Sequence, residues 1–160
     1  MNKSILNDLY SKVKGRVVTK IKSRVYVSVD NEYDLINPND IVFVFDNDKL
    51  LTCSCSSDGE SLDIDDEDVQ GFDMQSDGRV EVVDFSTRHP FSQILNNTLT
   101  GIAILHSELS GGDIGCSLSF EGTDVSILNL GDEIFYSSSL SNEMILDEKI
   151  IYLKLWFFKW

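Results

Sequence analysis

Phe43-Val-Phe45-Asp-Asn-Asp-Lys-Leu50-Leu-Thr52 and Leu118-Ser-Phe120-Glu-Gly-Thr-Asp-Val125-Ser-Ile127 share one grammar: apolar alternation, a short acidic turn, then apolar alternation again. A period of two sends alternate side chains to opposite faces of a strand, and Asp, Asn or Gly in the turn lets the chain reverse. Each stretch reads as a β-hairpin, the first with a loop over Asp46–Lys49. Upstream, Gly15-Arg-Val-Val18 corresponds to Gly101-Ile-Ala-Ile104. A weakly duplicated meander predicts a mainly β (α+β) chain, an antiparallel β-sandwich or open barrel built from two related halves.

Working outward, Ile5, Leu6, Leu9, Tyr10 and Val13 recur at helical spacing, which predicts a short N-terminal helix over residues 4–13 covering the sheet. Arg16–Ile21 and Arg24–Val29 read as two strands, followed by Ile41–Phe45, Leu50–Cys55 and Ser61–Ile64. Pro90–Asn97 breaks the alternation and reads as a helical turn. Leu99–Leu105, Gly115–Phe120, Val125–Leu128 and Glu133–Ser137 are the next strands, with Ser110-Gly-Gly-Asp113 as a hairpin connection. Glu148–Trp160 carries bulk on both faces and reads as a central or covered strand. A chain of 160 residues has the size of one domain, 1–160, and buries enough surface for a proper core.

Charge is the strongest functional signal. Lys plus Arg total 13 against 27 Asp plus Glu, a formal net of −14, and the excess is concentrated between Asp46 and Asp84. Such a field repels nucleic acid and attracts a basic partner. Hydrophobic residues at 42% and only two prolines place that charge on a folded body and not on a disordered tail. Residues 1–10 lack the apolar run of a signal peptide, and the longest apolar stretch, residues 150–160, is about half the ~20 residues that span a bilayer. A cytoplasmic protein with no membrane partner is the expectation. The three cysteines, Cys53, Cys55 and Cys116, fit a reducing compartment, with Cys53 and Cys55 on one strand face as small buried hydrophobes.

No catalytic motif accompanies the charge. Asp63-Ile-Asp65-Asp-Glu67-Asp68 invites a calcium reading, but in an EF-hand register the glycine position is Asp68 and the closing glutamate position is Met74. Cys53-Ser-Cys55 lacks the spacing of a zinc knuckle. His89 and His106 are the only histidines, and they read as surface or cap residues rather than an acid–base pair. Lys12, Lys14, Arg16, Lys20, Lys22 and Arg24 form either a solvated face or internal pairs with the acidic region. Neither a cofactor nor a metal is expected.

The stretch Leu99-Thr-Gly101-Ile-Ala-Ile104, followed by Cys116-Ser-Leu118-Ser-Phe120-Glu-Gly122-Thr-Asp-Val125-Ser-Ile127-Leu-Asn129-Leu-Gly131-Asp-Glu133-Ile134, resembles the small β-rich immunity proteins of bacterial contact-dependent growth inhibition and polymorphic toxin systems. The resemblance covers residues 99–137, with a fainter echo at 41–68. It implies a non-enzymatic antidote that binds a cognate toxin domain, a nuclease with a basic cleft, and occludes its active site. On that reading Asp58, Glu60, Asp63, Asp65, Asp66, Glu67, Asp68 and Asp73 form the contact surface, with Phe72 as the aromatic neighbour. Two other classes stand beside it: a hydrolase using a carboxylate pair in a pocket, and an adaptor or assembly subunit anchored by Trp156, Phe158 and Trp160.

Overall fold

The structure is a computed structural model and describes residues 3–154. Helix α1 (Lys3–Val13) leads into β1 (Val18–Val27), β2 (Asp40–Phe45), β3 (Leu50–Cys55) and β4 (Leu62–Asp65). A short β5 (Phe72–Asp73) and β6 (Arg79–Asp84) complete a six-stranded antiparallel sheet in the order β4-β3-β2-β1-β6-β5. After a 3-10 turn at Phe91–Gln93 come β7 (Leu99–Ser107), β8 (Gly112–Phe120), β9 (Thr123–Asn129) and β10 (Ile134–Ser137). Helix α2 (Asn142–Asp147) and β11 (Ile150–Lys154) follow, giving a second antiparallel sheet in the order β10-β9-β8-β7-β11. The chain is mainly β, with the two sheets face to face and no closed barrel, as the sequence predicts for a sandwich. One core holds both: Ile21, Phe43, Phe45, Leu51 and Cys53 from the first sheet meet Ile104, Cys116, Leu118 and Ile127 from the second. Cys53 and Cys116 bring their Sγ atoms to 3.8 Å across it.

The duplication extends to hydrogen bonds. In each half four strands form a meander, and a later strand, β6 or β11, returns to pair antiparallel with the first. Val18 opposes Phe45 before a β-bulge in β1, and Leu99 opposes Phe120 before a bulge in β7. The two equivalent segments also pair with each other, through an isolated antiparallel bridge between Val17 and Thr98. Gly15 N donates to Leu99 O at 2.9 Å while Asn96 N donates to Val18 O at 2.8 Å, and Leu99 N to Arg16 O at 2.9 Å mirrors Val18 N to Asn97 O at 3.1 Å. Gly15 and Asn96 both take left-handed φ, 72° and 65°. Equivalent residues that exchange equivalent bonds define a local two-fold axis between the halves.

This axis corrects two alignments read from sequence. Gly15–Val18 matches Asn96–Leu99, not Gly101–Ile104. Phe43 opposes Leu51 as Leu118 opposes Val125, so Leu51 and Cys53, not Leu50 and Thr52, are the equivalents of Val125 and Ile127; Cys53 is buried as expected and Cys55 is half-buried. The cause is loop length: Phe45 N donates to Lys49 O at 2.9 Å across the three residues 46–48, whereas Phe120 opposes Thr123 across Glu121 and Gly122 alone. A one-residue difference in a turn inverts every face that follows.

Three further corrections concern single elements. Arg16–Ile21 and Arg24–Val29 are parts of one strand, β1, because Lys22-Ser23 lacks turn chemistry and the buried Ser23 hydroxyl bonds Asp40 O at 2.5 Å. Strand β6 lies inside the acidic stretch, where the apolar alternation around Val80, Val82 and Val83 is masked by charge. Strand β11 stands at the end of the second sheet among the described residues and not at its centre; it is covered at Ile150 and exposed at Ile151 and Tyr152, and Trp156, Phe158 and Trp160 lie outside those residues.

The outer faces of the two sheets are covered differently. On the second sheet, α2 lies over Leu105, Ile114, Leu128 and Ile150 with Met144 and Ile145. Its N-cap is Ser141, whose hydroxyl accepts from Met144 N at 3.1 Å. On the first sheet, β4 and β5 occupy opposite edges, so residues 66–71 must cross the outer face to connect them. Thr52 Oγ1 donates to Glu67 O at 2.7 Å beneath this crossing, and Val42 and Thr52, though outward-facing, are buried.

Candidate functional site

The acidic residues named from sequence fall into three places. Asp58 and Glu60 sit in the β3–β4 turn at one end of the first sheet. Asp63 and Asp65 face outward from edge strand β4, while Leu62 and Ile64 face the core. Asp66, Glu67 and Asp68 continue from them onto the crossing segment. Phe72 and Asp73 lie on β5 at the opposite edge, five strand spacings or about 24 Å away. Phe72 is therefore a neighbour of Val80, its cross-strand partner, and not of the β4 carboxylates.

Charge alone does not reveal which of these carboxylates are occupied. Asp58 Oδ1 accepts from Ser61 N at 2.8 Å and Glu60 N at 2.9 Å, which closes the turn and holds its carboxyl below the ordinary range. Asp65 accepts from Glu67 N at 2.9 Å; burial raises its pKa, against that bond, and the charges of Glu67, Asp66 and Asp63 add to the rise. Asp66 pairs with Lys12 of α1 at 3.3 Å. Asp68 pairs with Lys22 of β1 at 2.5 Å, and the ammonium is the main cause of its lowered pKa. Asp73 accepts from Gln75 N at 2.8 Å. Glu60, Asp63 and Glu67 are exposed, and among the described residues their carboxylates have no hydrogen-bond or ion-pair partner.

The early basic residues are used internally. Lys12 also reaches Asp8 at 2.9 Å, and Arg24 is bound to the fully buried Asp40, whose Oδ1 accepts from Arg24 N at 2.9 Å. Of the two readings of that cluster, internal pairing describes Lys12, Lys22 and Arg24.

Folding adds acids that sequence reasoning missed. A Cβ on Gly59 would come within 3.3 Å of the Asp132 carboxylate, so the β9–β10 turn stands against the β3–β4 turn. Burial, then Asp132 and Glu133, raise the Cys55 thiol to about 11. Glu60 and Glu148 line a cleft of about 390 Å³ between these turns and the β7–β8 connection. The signal for Asp132 and Glu133 lay in Gly131-Asp132, two turn residues with left-handed φ between two apolar runs, but proximity of two turns distant in sequence is a product of the sandwich.

His106 Nδ1 lies 2.9 Å from Asp113 Oδ1 on the β7–β8 ladder, and His89 precedes a cis peptide bond to Pro90. All three cysteines are free. Among the described residues no group of three or more His, Cys, Asp or Glu is arranged to hold a metal ion, and no helix is long and apolar enough to cross a membrane. Compared with protein-family models, curated proteins and solved structures, the chain matches none.

Proposed function

We propose that this chain is an immunity protein, a non-catalytic inhibitor that binds a basic toxin domain, a nuclease, and occludes its active site with the acidic outer face of the first sheet. The observation that supports this reading most is the set of unpartnered carboxylates of Glu60, Asp63 and Glu67 beside acids that are fixed by Lys12, Lys22 and backbone N–H groups. Fixed neighbours limit the conformational entropy lost on binding, and free carboxylates remain for Lys and Arg of a partner. A surface of one sign also speeds encounter with a partner of the other.

Co-expression of the chain with the toxin domain encoded beside it tests this reading, with growth rescue and co-purification scored together. Rescue with a stable complex that weakens as salt rises supports it. The absence of both rescue and complex overturns it.

A further inference from the structure

We propose that the free edge of β10 binds an extended peptide segment of a partner protein as an added strand, with a carboxylate of that segment seated on Arg88. The site is separate from the acidic face and does not depend on the toxin-binding reading.

The phase of the β9–β10 hairpin defines the free edge. Gly131 and Asp132 take φ of 66° and 67°, the conformation of a type I′ turn, and Leu130 N donates to Glu133 O at 2.9 Å. Leu130 and Glu133 are thus a hydrogen-bonded pair, and bonded and non-bonded pairs then alternate along the ladder. Phe135 opposite Leu128 and Ser137 opposite Ser126 direct their main-chain groups toward β9. Ile134 and Tyr136 direct theirs away from it. Among the described residues β10 pairs only with β9, and no other hydrogen bond reaches the main chain of Ile134 or Tyr136.

A groove of about 390 Å³ runs along that edge. Ile134, Tyr136 and Leu130 form one wall and Leu35 and Ile36, from the β1–β2 connection, form the other. Ile36 is 80% exposed, so its apolar side chain is available at the mouth of the groove. Arg88 stands at the Tyr136 end: its guanidinium lies 5.0 Å over the Phe85 ring, and Phe85 contacts Tyr136 at 6.4 Å between centroids. One guanidinium donor reaches Leu35 O at 3.2 Å. In a chain of net charge −14 this arginine has no carboxylate partner among the described residues. The Glu133 end of the groove carries the opposite charge.

These features specify the occupant. Unpaired donors and acceptors at alternate residues match the main chain of an extended strand. The apolar walls take an aliphatic or aromatic side chain. Arg88, with a planar fork of donors and an aromatic ring fixing it from behind, takes an Asp, a Glu or a C-terminal carboxylate.

A display library of random linear peptides selected on the full chain tests the proposal. Selected peptides should pair an apolar residue with a nearby carboxylate, and should protect the Ile134 and Tyr136 amides, which should exchange fast in the free chain. Arg88→Glu should weaken them on the order of tenfold to a hundredfold, Arg88→Lys less, and Ile36→Asp on the opposite wall should weaken them independently. A variant carrying Glu60→Lys, Asp63→Lys and Glu67→Lys should bind them unchanged, which separates this site from the toxin-binding face. Capping the carboxyl end of a selected peptide as an amide tells a C-terminal carboxylate from a side-chain one. Slow exchange of both amides in the free chain, or peptides insensitive to Arg88→Glu and Ile36→Asp, would overturn the proposal.

Discussion

The Lys22 ammonium and the Asp68 carboxylate lie 2.5 Å apart and fasten the acidic crossing segment to the strand beneath it. Lys22 is mostly buried and Asp68 half exposed, so the pair is part of the fold as well as of the surface field. Together with Lys12–Asp66 and Thr52–Glu67 it makes a strap across the first sheet out of what reads in sequence as a solvated acidic run.

Lys22→Met should release the middle of this strap. The stability loss should be modest, about 1 kcal/mol or less, because one partner is open to solvent and screened. Hydrogen exchange at Val69 and Gln70 should nonetheless quicken clearly. Unchanged exchange there would show that the segment is held by its backbone contacts alone.

On the toxin-binding reading, the acids should separate by partner status. Reversal of Glu60, Asp63 and Glu67 to Lys should slow association and weaken binding while leaving the melting temperature within a few degrees, since these carboxylates have no ion-pair or hydrogen-bond partner among the described residues. Asp68→Lys should lose both affinity and stability, because it sets two ammonium groups against each other. Equal melting losses in the two variants would contradict this division.

Asp40 is the buried acid of the molecule, and its carboxylate is bound by both the main chain and the side chain of Arg24. Asp40→Ala should cost about 3 kcal/mol in denaturant unfolding, the usual consequence of breaking a buried charged pair from one side. Asp40→Asn keeps an acceptor for Arg24 N and should cost less. A loss below about 1 kcal/mol for the alanine variant would mean that Arg24 finds water without penalty.

Acid should destabilise the chain through specific carboxylates. Asp58, Asp68 and Asp84 have native pKa values below the ordinary 3.8, Asp84 through the Ser86 hydroxyl and N–H. A lowered native pKa stabilises the fold above the unfolded value, and that contribution disappears as pH falls through the native one. Stability should therefore decline below about pH 4, with Asp65, whose pKa is raised, acting in the opposite sense. At the alkaline end Cys55 changes from 9.0 unfolded to about 11 native, so stability should fall from pH 9 toward 11. Cys55→Ser should flatten the alkaline limb of a pH series of unfolding midpoints.

Gly71 marks where the strap reaches the far edge of the sheet, and a Cβ there would stand 2.5 Å from Val80 O. Gly71→Ala should displace the strap from β6 and destabilise by about 1–3 kcal/mol, the cost of overpacking against backbone. Unaltered amide shifts at Val80 and Glu81 would refute the close approach.

The sequence by itself determined the elements whose signal is local. Period-two alternation marked both hairpins, and the apolar spacing from Ile5 to Val13 marked α1. It marked the duplication too, although not its register, which depends on a turn one residue longer in one half than in the other. Charge dominated the reading from Asp46 to Asp84 and concealed β6, a strand whose valines declare themselves only when paired with Arg24 and Tyr26. Tertiary structure alone decided which carboxylates are free. Lys12 and Lys22 meet acids distant in sequence because β4 and β5 lie at opposite edges and the chain between them has only the outer face to cross, and Arg24 meets Asp40 because β1 and β2 are neighbours. The free edge of β10 has the same origin. A strand's hydrogen-bonding side is fixed by its register, whereas its having one partner strand among the described residues depends on where the whole sheet ends.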